Sequence, residues 1–516
     1  MGILMANNSP AQIPEDNVGY PCDEYISHQK RLELPNALMG GTEAMKAKGE
    51  LYLPKEPEES QAAYDIRLDR AYLLNAFKRT ILYLSGQIFS KPVILHEDNN
   101  KEVMGLSENI DLENNNINVF CKTVFEAGLR DGISFVLVDY PPSETNLTKE
   151  QEKAQGLRPY WIHVPAANLI GWRLDKHNGT TRLTQIRIKE SINRDKGKYG
   201  TELISRIRVI NLGSYEVYED ISGGKEKEWG LVESGATTFT EEIPLAIFRP
   251  GEKITFMTSV PCLEDLAAIN LAHYQSQSDQ LNILHFARVP LLFGKLLADD
   301  PTKIVIGTNR MIHSMREESD LRYIEHSGAA IGAGRDSLDD MEQRMSLFGL
   351  QLLVPKTGRI TATEKALSSG ENDCTLKTYG LIFQDFVEQC IVYTCQWLKL
   401  DNPGSVTINL EFRLLQVADA DVLIKAKVAG ILPRMTILQE FLRRGIIAED
   451  SNIDDILDWL SEEEANATSS SLQGTFLKNM TSVQPLPKPG GVLPDEIVPL
   501  PKTGRAKMPA FTNKGK

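Results

Sequence analysis

Residues 262–287, CLEDLAAINLAHYQSQSDQLNILHFA, constrain this chain more than any other stretch. They predict one helix of roughly 22 to 25 residues, about 35 Å long at about 1.5 Å per residue. Its middle, HYQSQSDQ, is polar nearly all round. A helix with no continuous apolar stripe either stands in solvent or packs sideways against copies of itself. On this reading Leu263 to Phe286 gain shelter only from duplicates of the same helix around an open axis.

Downstream, VPLLFGKLL and KIVIGTNRMIHSM predict strands, and SDLRYIEHSG leads into AAIGAGRDSLDDMEQRMSLFG. There Ser337 is placed to cap a second helix with Asp340 three residues on, and Leu338, Met341, Met345 and Phe348 supply its apolar stripe. Two helices thus flank a small β module. After the cationic loop VPKTGRITA, Leu376, Tyr379, Phe383, Phe386, Cys390, Tyr393 and Trp397 recur at helical spacing as far as DNPG, and TINLEF suggests one strand. Segment 418–465 alternates helices with stops, Gly430 and Gly445 standing at helix ends. From 466 onward Ser, Pro, Gly and Lys dominate, a composition expected to stay disordered until it meets a partner.

Upstream, breaker residues in NNSPAQIPED, LPNALMGG and LPKEPEES predict an irregular arm over 1–59. Apolar positions Tyr64, Leu68, Ala71, Leu74, Phe77, Ile81, Leu84 and Ile88 predict one helix. Residues 133–138 form a continuous apolar run closed by Pro141-Pro142, a fully buried strand. YWIHV, LTQIRIKE, LISRIRVINL, YEVYED and PLAIF then predict antiparallel strands, giving a mixed α+β domain from about 60 to 260.

A net charge of −14 argues against a broad basic face that grips nucleic acid, although the tail after Ser469 is cationic. Six cysteines without C-x-x-C spacing, and a start (MGILMANNSP) that lacks a cationic n-region, point to reduced thiols and no secretion. Ala6 stands where a myristoylation motif needs Ser or Thr. The sortase pattern Leu500-Pro501-Lys502-Thr503-Gly504 is followed only by RAKMPAFTNKGK, far short of the ~20 apolar residues of a membrane span, so it is read as coincidence. PKTGR also occurs at 355–359 and 501–505.

No catalytic, cofactor-binding or metal-holding residue is predicted. Glycines 328, 332 and 334 precede a helix, but Arg335-Asp336 follow where a P-loop needs Lys and Ser/Thr, so a flexible loop-to-helix joint is preferred over a nucleotide cradle. His273 and His285 are too far apart on one helix to share a metal unaided. Ser134 lies outside any G-x-S-x-G elbow, and the pairs Asp339-Asp340 and Asp454-Asp455 fall on solvated helix faces. Lys356 and Arg359, two cations in a Pro- and Gly-bearing loop between helices, are the candidate phosphate contacts; the alternative is a solvated turn.

The pieces YLPKEPEESQAAYDIRLDRAYLLNAFKRTILYLSGQIFSKP, DGISFVLVDYPP, RPYWIHVPAANLIGW and LRYIEHSGAAIGAGRDSLDDMEQRMSLFG, in that order, resemble the portal proteins of tailed bacteriophages, in a branch catalogued as a domain of unknown function. The resemblance covers about 50–465. It implies the portal fold, with a mixed wing at 60–262, a first stem helix at 263–286, a clip at 287–328, a second stem helix at 329–349, a tunnel loop at 350–362, a long wing helix and strand at 363–417, and crown helices at 418–465. It further implies a ring, usually of twelve copies, in the virion and in host cytoplasm during assembly. Double-stranded DNA would pass without sequence preference through the channel, with Lys356 and Arg359 on the tunnel loop. Implied partners are the terminase large subunit, the major capsid or scaffolding protein and a head-tail adaptor, with no membrane and no cofactor. The competing expectations are a nucleotide-binding enzyme using 328–334 and another virion structural protein.

Overall fold

The computed structural model describes residues 16–141, 149–222, 228–288, 291–295, 318, 320–324, 329–348, 362–401, 403–410 and short stretches between 424 and 461. The chain divides into two units, Met1–Phe412 and Arg413–Lys516. In the second, the described helices include Arg434–Arg443 and residues 453–461, where Asp454 and Asp455 are exposed. Everything that follows belongs to the first.

Helix α1 (Asp23–Ala47) replaces much of the irregular arm expected from the sequence. Pro35 lies inside it and Gly41, at φ 79°, kinks it. Leu32, Leu38 and Met45 are fully buried along it, and burying them outweighs the hydrogen bond that a proline removes. The single helix expected over Tyr64–Ile88 is two, α2 (Gln61–Arg70) and α3 (Ala76–Ile88). Ala71 turns extended at ψ 139°, and each helix then starts on its own cap: Ala63 N donates to Ser60 Oγ (3.2 Å) and Lys78 N to Asn75 Oδ1 (2.9 Å). Helices α4 (Lys101–Leu106), α5 (Ile117–Asp131) and α6 (Lys149–Ala154) complete the N-terminal set.

Strand β1 (Ile94–Leu95) pairs antiparallel with Val406–Thr407 far along the chain. Strand β2 (Ser134–Asp139) is the centre of a three-stranded antiparallel sheet, between β3 (Tyr160–Pro165) and β9 (Leu245–Phe248). It is buried on both faces, as its continuous apolar run requires: Val136 and Val138 enter the helical core, Phe135 and Leu137 a second core. That second core is shared with a five-stranded meander, β4 (Leu169–His177), β5 (Thr180–Lys196), β6 (Gly200–Asn211), β7 (Ser214–Asp220) and β8 (Trp229–Ala236). The β4–β5 hairpin turns on Asn178-Gly179, both at positive φ, the pair whose twist suits a two-residue connection. The mixed α+β class expected from the sequence is thus the one observed.

The later helices are α7 (Glu264–Ala287), α8 (Ala329–Phe348) and α9 (Ala362–Leu398). Phe383 of α9 meets Phe125 and Phe248 at ring separations of 5.2 and 4.8 Å, tying α9 to α5 and β9. Trp161 Nε1 donates to Thr394 Oγ1 and Trp397 Nε1 to the Val138 carbonyl, both at 2.9 Å, so each indole satisfies its polar edge while filling the core. Gly132 ends α5 at φ 76°, where a Cβ would lie 2.1 Å from the Val260 carbonyl oxygen.

Candidate functional site

The polar-centred helix α7 is partnered within its own chain. Gln280 Nε2 donates to the Ile331 carbonyl at 2.9 Å, and His273 Nε2 lies 3.4 Å from Glu342 Oε1. These two contacts, running in opposite directions along the two helices, make α7 and α8 an antiparallel pair. Leu266, Asn270, His273, Tyr274, Ser278 and Gln280 are all buried in one chain, so the expectation that this helix finds shelter only among copies of itself is corrected. Its polar residues recur at three- and four-residue steps, and that polar stripe is the buried one.

Asn270 shows why. Its Nδ2 donates to the Leu74 carbonyl (2.8 Å), which also accepts from Ala76 N (2.9 Å), and its Oδ1 accepts from Phe77 N (3.1 Å), a first-turn amide of α3 with no intrahelical acceptor. Gln275 Nε2 reaches the Tyr52 carbonyl at 3.0 Å, and Gln277 Nε2 the Tyr72 hydroxyl at 2.6 Å. Not every buried group is matched: among the described residues, His273 Nδ1 and the hydroxyls of Tyr274 and Ser278 find no hydrogen-bond partner. Burial holds the His273 imidazole below its usual range against the pull of Glu342, so it stays neutral at pH 7.

Two of the three glycines expected to form a loop before the second helix, Gly332 and Gly334, are inside it. Helix α8 begins at Ala329, so Gly332 and Gly334 carry helical backbone, and Ser337 is an interior residue rather than a cap. A Cβ at Gly334 would stand 2.1 Å from Gln280 Oε1, so the glycine is there for close helix approach. Of the stripe expected for this helix, Leu338 and Met345 are buried and Met341 half-buried. Asp339 and Asp340 are exposed, Asp340 pairing with Arg344 at 2.8 Å, which leaves the outer face of α8 polar. Between the two helices, β10 (Leu291–Lys295) and β11 (Asp320–Ile324) pair antiparallel.

Lys356 and Arg359 lie outside the described residues, as do Gly328, most of 287–328, all of 350–361 and the tail after 461. Ser134 is fully buried, its Oγ 2.9 Å from His163 Nε2. Burial, reinforced by the Arg130 charge, pushes His163 down to about 4. A serine sealed from solvent in this way cannot meet a substrate. Among the described residues no His, Cys, Asp and Glu gather to hold a metal, Cys22, Cys121, Cys262 and Cys390 form no disulfide, and no helix is long and apolar enough to cross a membrane.

Residues 262–398, from the start of α7 to the end of α9, match the family described as a domain of unknown function (DUF4055). No curated protein matches the chain. A chain in the neck of a native GTA particle computed with C12 symmetry compares at 9% identity and a TM-score of 0.39, over 70% of this chain and 88% of that one. A chain from the virion of a native gene transfer agent (GTA) particle compares at 9% identity and a TM-score of 0.40, over 72% of this chain and 89% of that one.

Proposed function

We propose that this chain is a portal-type structural protein of a phage-like particle. Copies close into a ring at the head-tail junction, through which double-stranded DNA is packaged and ejected. The observation that carries this reading is the run of elements inside the matched segment: long helix α7, an antiparallel strand pair, the returning helix α8, and then the 37-residue α9 through the core of the mixed body. That is the sequence of stem, clip, stem and wing helix that the portal resemblance implies.

Two physical features agree with a conduit. The exposed side of α8 is polar and, with Asp336, Asp339, Asp340 and Glu342 against Arg335 and Arg344, acidic, and the chain carries a net charge of −14. Duplex DNA presents a negative charge about every 1.7 Å, so an acidic passage repels the backbone and lets the genome slide. Lys356 and Arg359 would centre or retain the duplex, while an external terminase supplies the energy and adaptor and capsid proteins dock outside. The nucleotide-enzyme reading needs a phosphate-binding loop at 328–334, whereas Gly332 and Gly334 have their backbone amides inside α8.

Negative-stain images of the purified protein test the proposal: rings with a central hole are expected, and compact single chains at every concentration would overturn it. In an infection or transfer assay, the double change Lys356→Glu, Arg359→Glu is expected to lower genome retention. Unchanged packaging and retention would remove those two residues from the DNA path.

A further inference from the structure

A cavity of about 110 Å³ opens where the three-stranded sheet, the meander and the end of α9 converge. We propose that it is a binding site for an organic cation, the ammonium or guanidinium head of an alkyl chain. The site belongs to one chain and stands whether or not the ring forms.

Four of the twelve residues that line it are aromatic. Tyr140 and Trp397 stack with centroids 5.5 Å apart, and Tyr160 and Tyr215 line it from β3 and β7. A desolvated cation over such rings is attracted by their quadrupoles. Its charge points the same way. Arg208 Nη1 donates to Asp139 Oδ2 at 2.5 Å, and its Nε lies 3.1 Å from Glu190 Oε1, so one guanidinium already serves two carboxylates. The third carboxylate, Glu233, is exposed on β8 and held by the Tyr215 hydroxyl at 2.9 Å. Arg208 is the sole cation among the lining residues, which leaves the surroundings net negative. Burial pushes both Tyr160 and Tyr215 up to about 12, so their hydroxyls stay protonated and cannot themselves carry the anionic charge. Leu137, Ile210 and Pro244 give an apolar floor suited to methylene groups.

Such a head could come from a free diamine or from a lysine or arginine side chain, and the full-length protein can be tested with both. Isothermal titration is run with cadaverine, with the ten-residue peptide VPLPKTGRAK, and with 1-pentanol as the uncharged control. Saturable binding by either cation, at least tenfold weaker in Glu233→Gln and unchanged in Glu102→Gln outside the cavity, supports the site, and whichever probe binds identifies the source. No binding by either cation, equal binding of 1-pentanol, or undiminished binding in Glu233→Gln would overturn it.

Discussion

Gly132 is the residue whose replacement says most about the joint between α5 and β2. Its φ of 76° suits only a residue without a Cβ, and the Val260 carbonyl oxygen, which the added carbon would meet at 2.1 Å, is backbone and cannot swing away. Gly132→Ala is expected to destabilise the chain by about 2 to 5 kcal/mol, the sum of a left-handed penalty and an overpacking cost, measured by chemical denaturation. Histidine sets the pH response. His163 is neutral in the fold down to about 4, whereas an unfolded histidine takes its proton near about pH 6.5. Between those values the unfolded state binds the extra proton, so stability falls as pH drops from about 6.5 toward 4 and this contribution levels off below. His273, also lowered by burial, acts in the same direction. Unfolding midpoints at pH 7, 6, 5 and 4 are expected to fall less steeply for His163→Gln than for the wild type. Neither effect was visible in the sequence, because Gly132 takes its role from Val260 and His163 from its burial beside Arg130, surroundings that only the folded chain supplies.

At the scale of elements, Asn270 is expected to hold α7 to the α2–α3 break. Asn270→Ala leaves the buried Phe77 amide without a partner, while the Leu74 carbonyl keeps its bond from Ala76 N, and is expected to cost about 1 to 3 kcal/mol, with faster amide exchange at Phe77 as the local readout. A loss below about 1 kcal/mol would mean that water replaces the amide. The elements legible in the sequence were those whose burial follows a simple period: β2 as an apolar run, α9 through Leu376, Phe383 and Trp397, and α7 by its length. Those that were missed are held by tertiary contacts that override local preference. Helix α1 carries Pro35 and Gly41, yet forms because Leu32, Leu38 and Met45 are buried. The break at 71–75 interrupts an unbroken apolar stripe, since Asn75 and Asn270 satisfy its ends. Helix α8 begins ahead of the Ser337 cap read from the residues alone, because Gly334, a loop signal by itself, is a contact with Gln280 when read across the pair.

At the scale of the molecule, the polar middle of α7 carries a different meaning from the one its composition first suggests. Its side chains are largely used inside the chain, so the proposed ring would draw on other surfaces, among them the outer face of α8 and the sheet. The five-stranded meander leaves Tyr199, Leu203, Leu231 and Val232 exposed, with Tyr199 at 88% and Leu203 at 69%, apolar area that a lone chain presents to water. Self-association would cover such area, and Leu203→Glu is expected to weaken any assembly while leaving the unfolding free energy of the chain within about 0.5 kcal/mol, as for other surface changes. The most direct test of the account is the native mass of the purified full-length protein over a range of concentrations. One discrete closed species near a dozen chain masses is the result the account requires; a single chain mass at every concentration would contradict it.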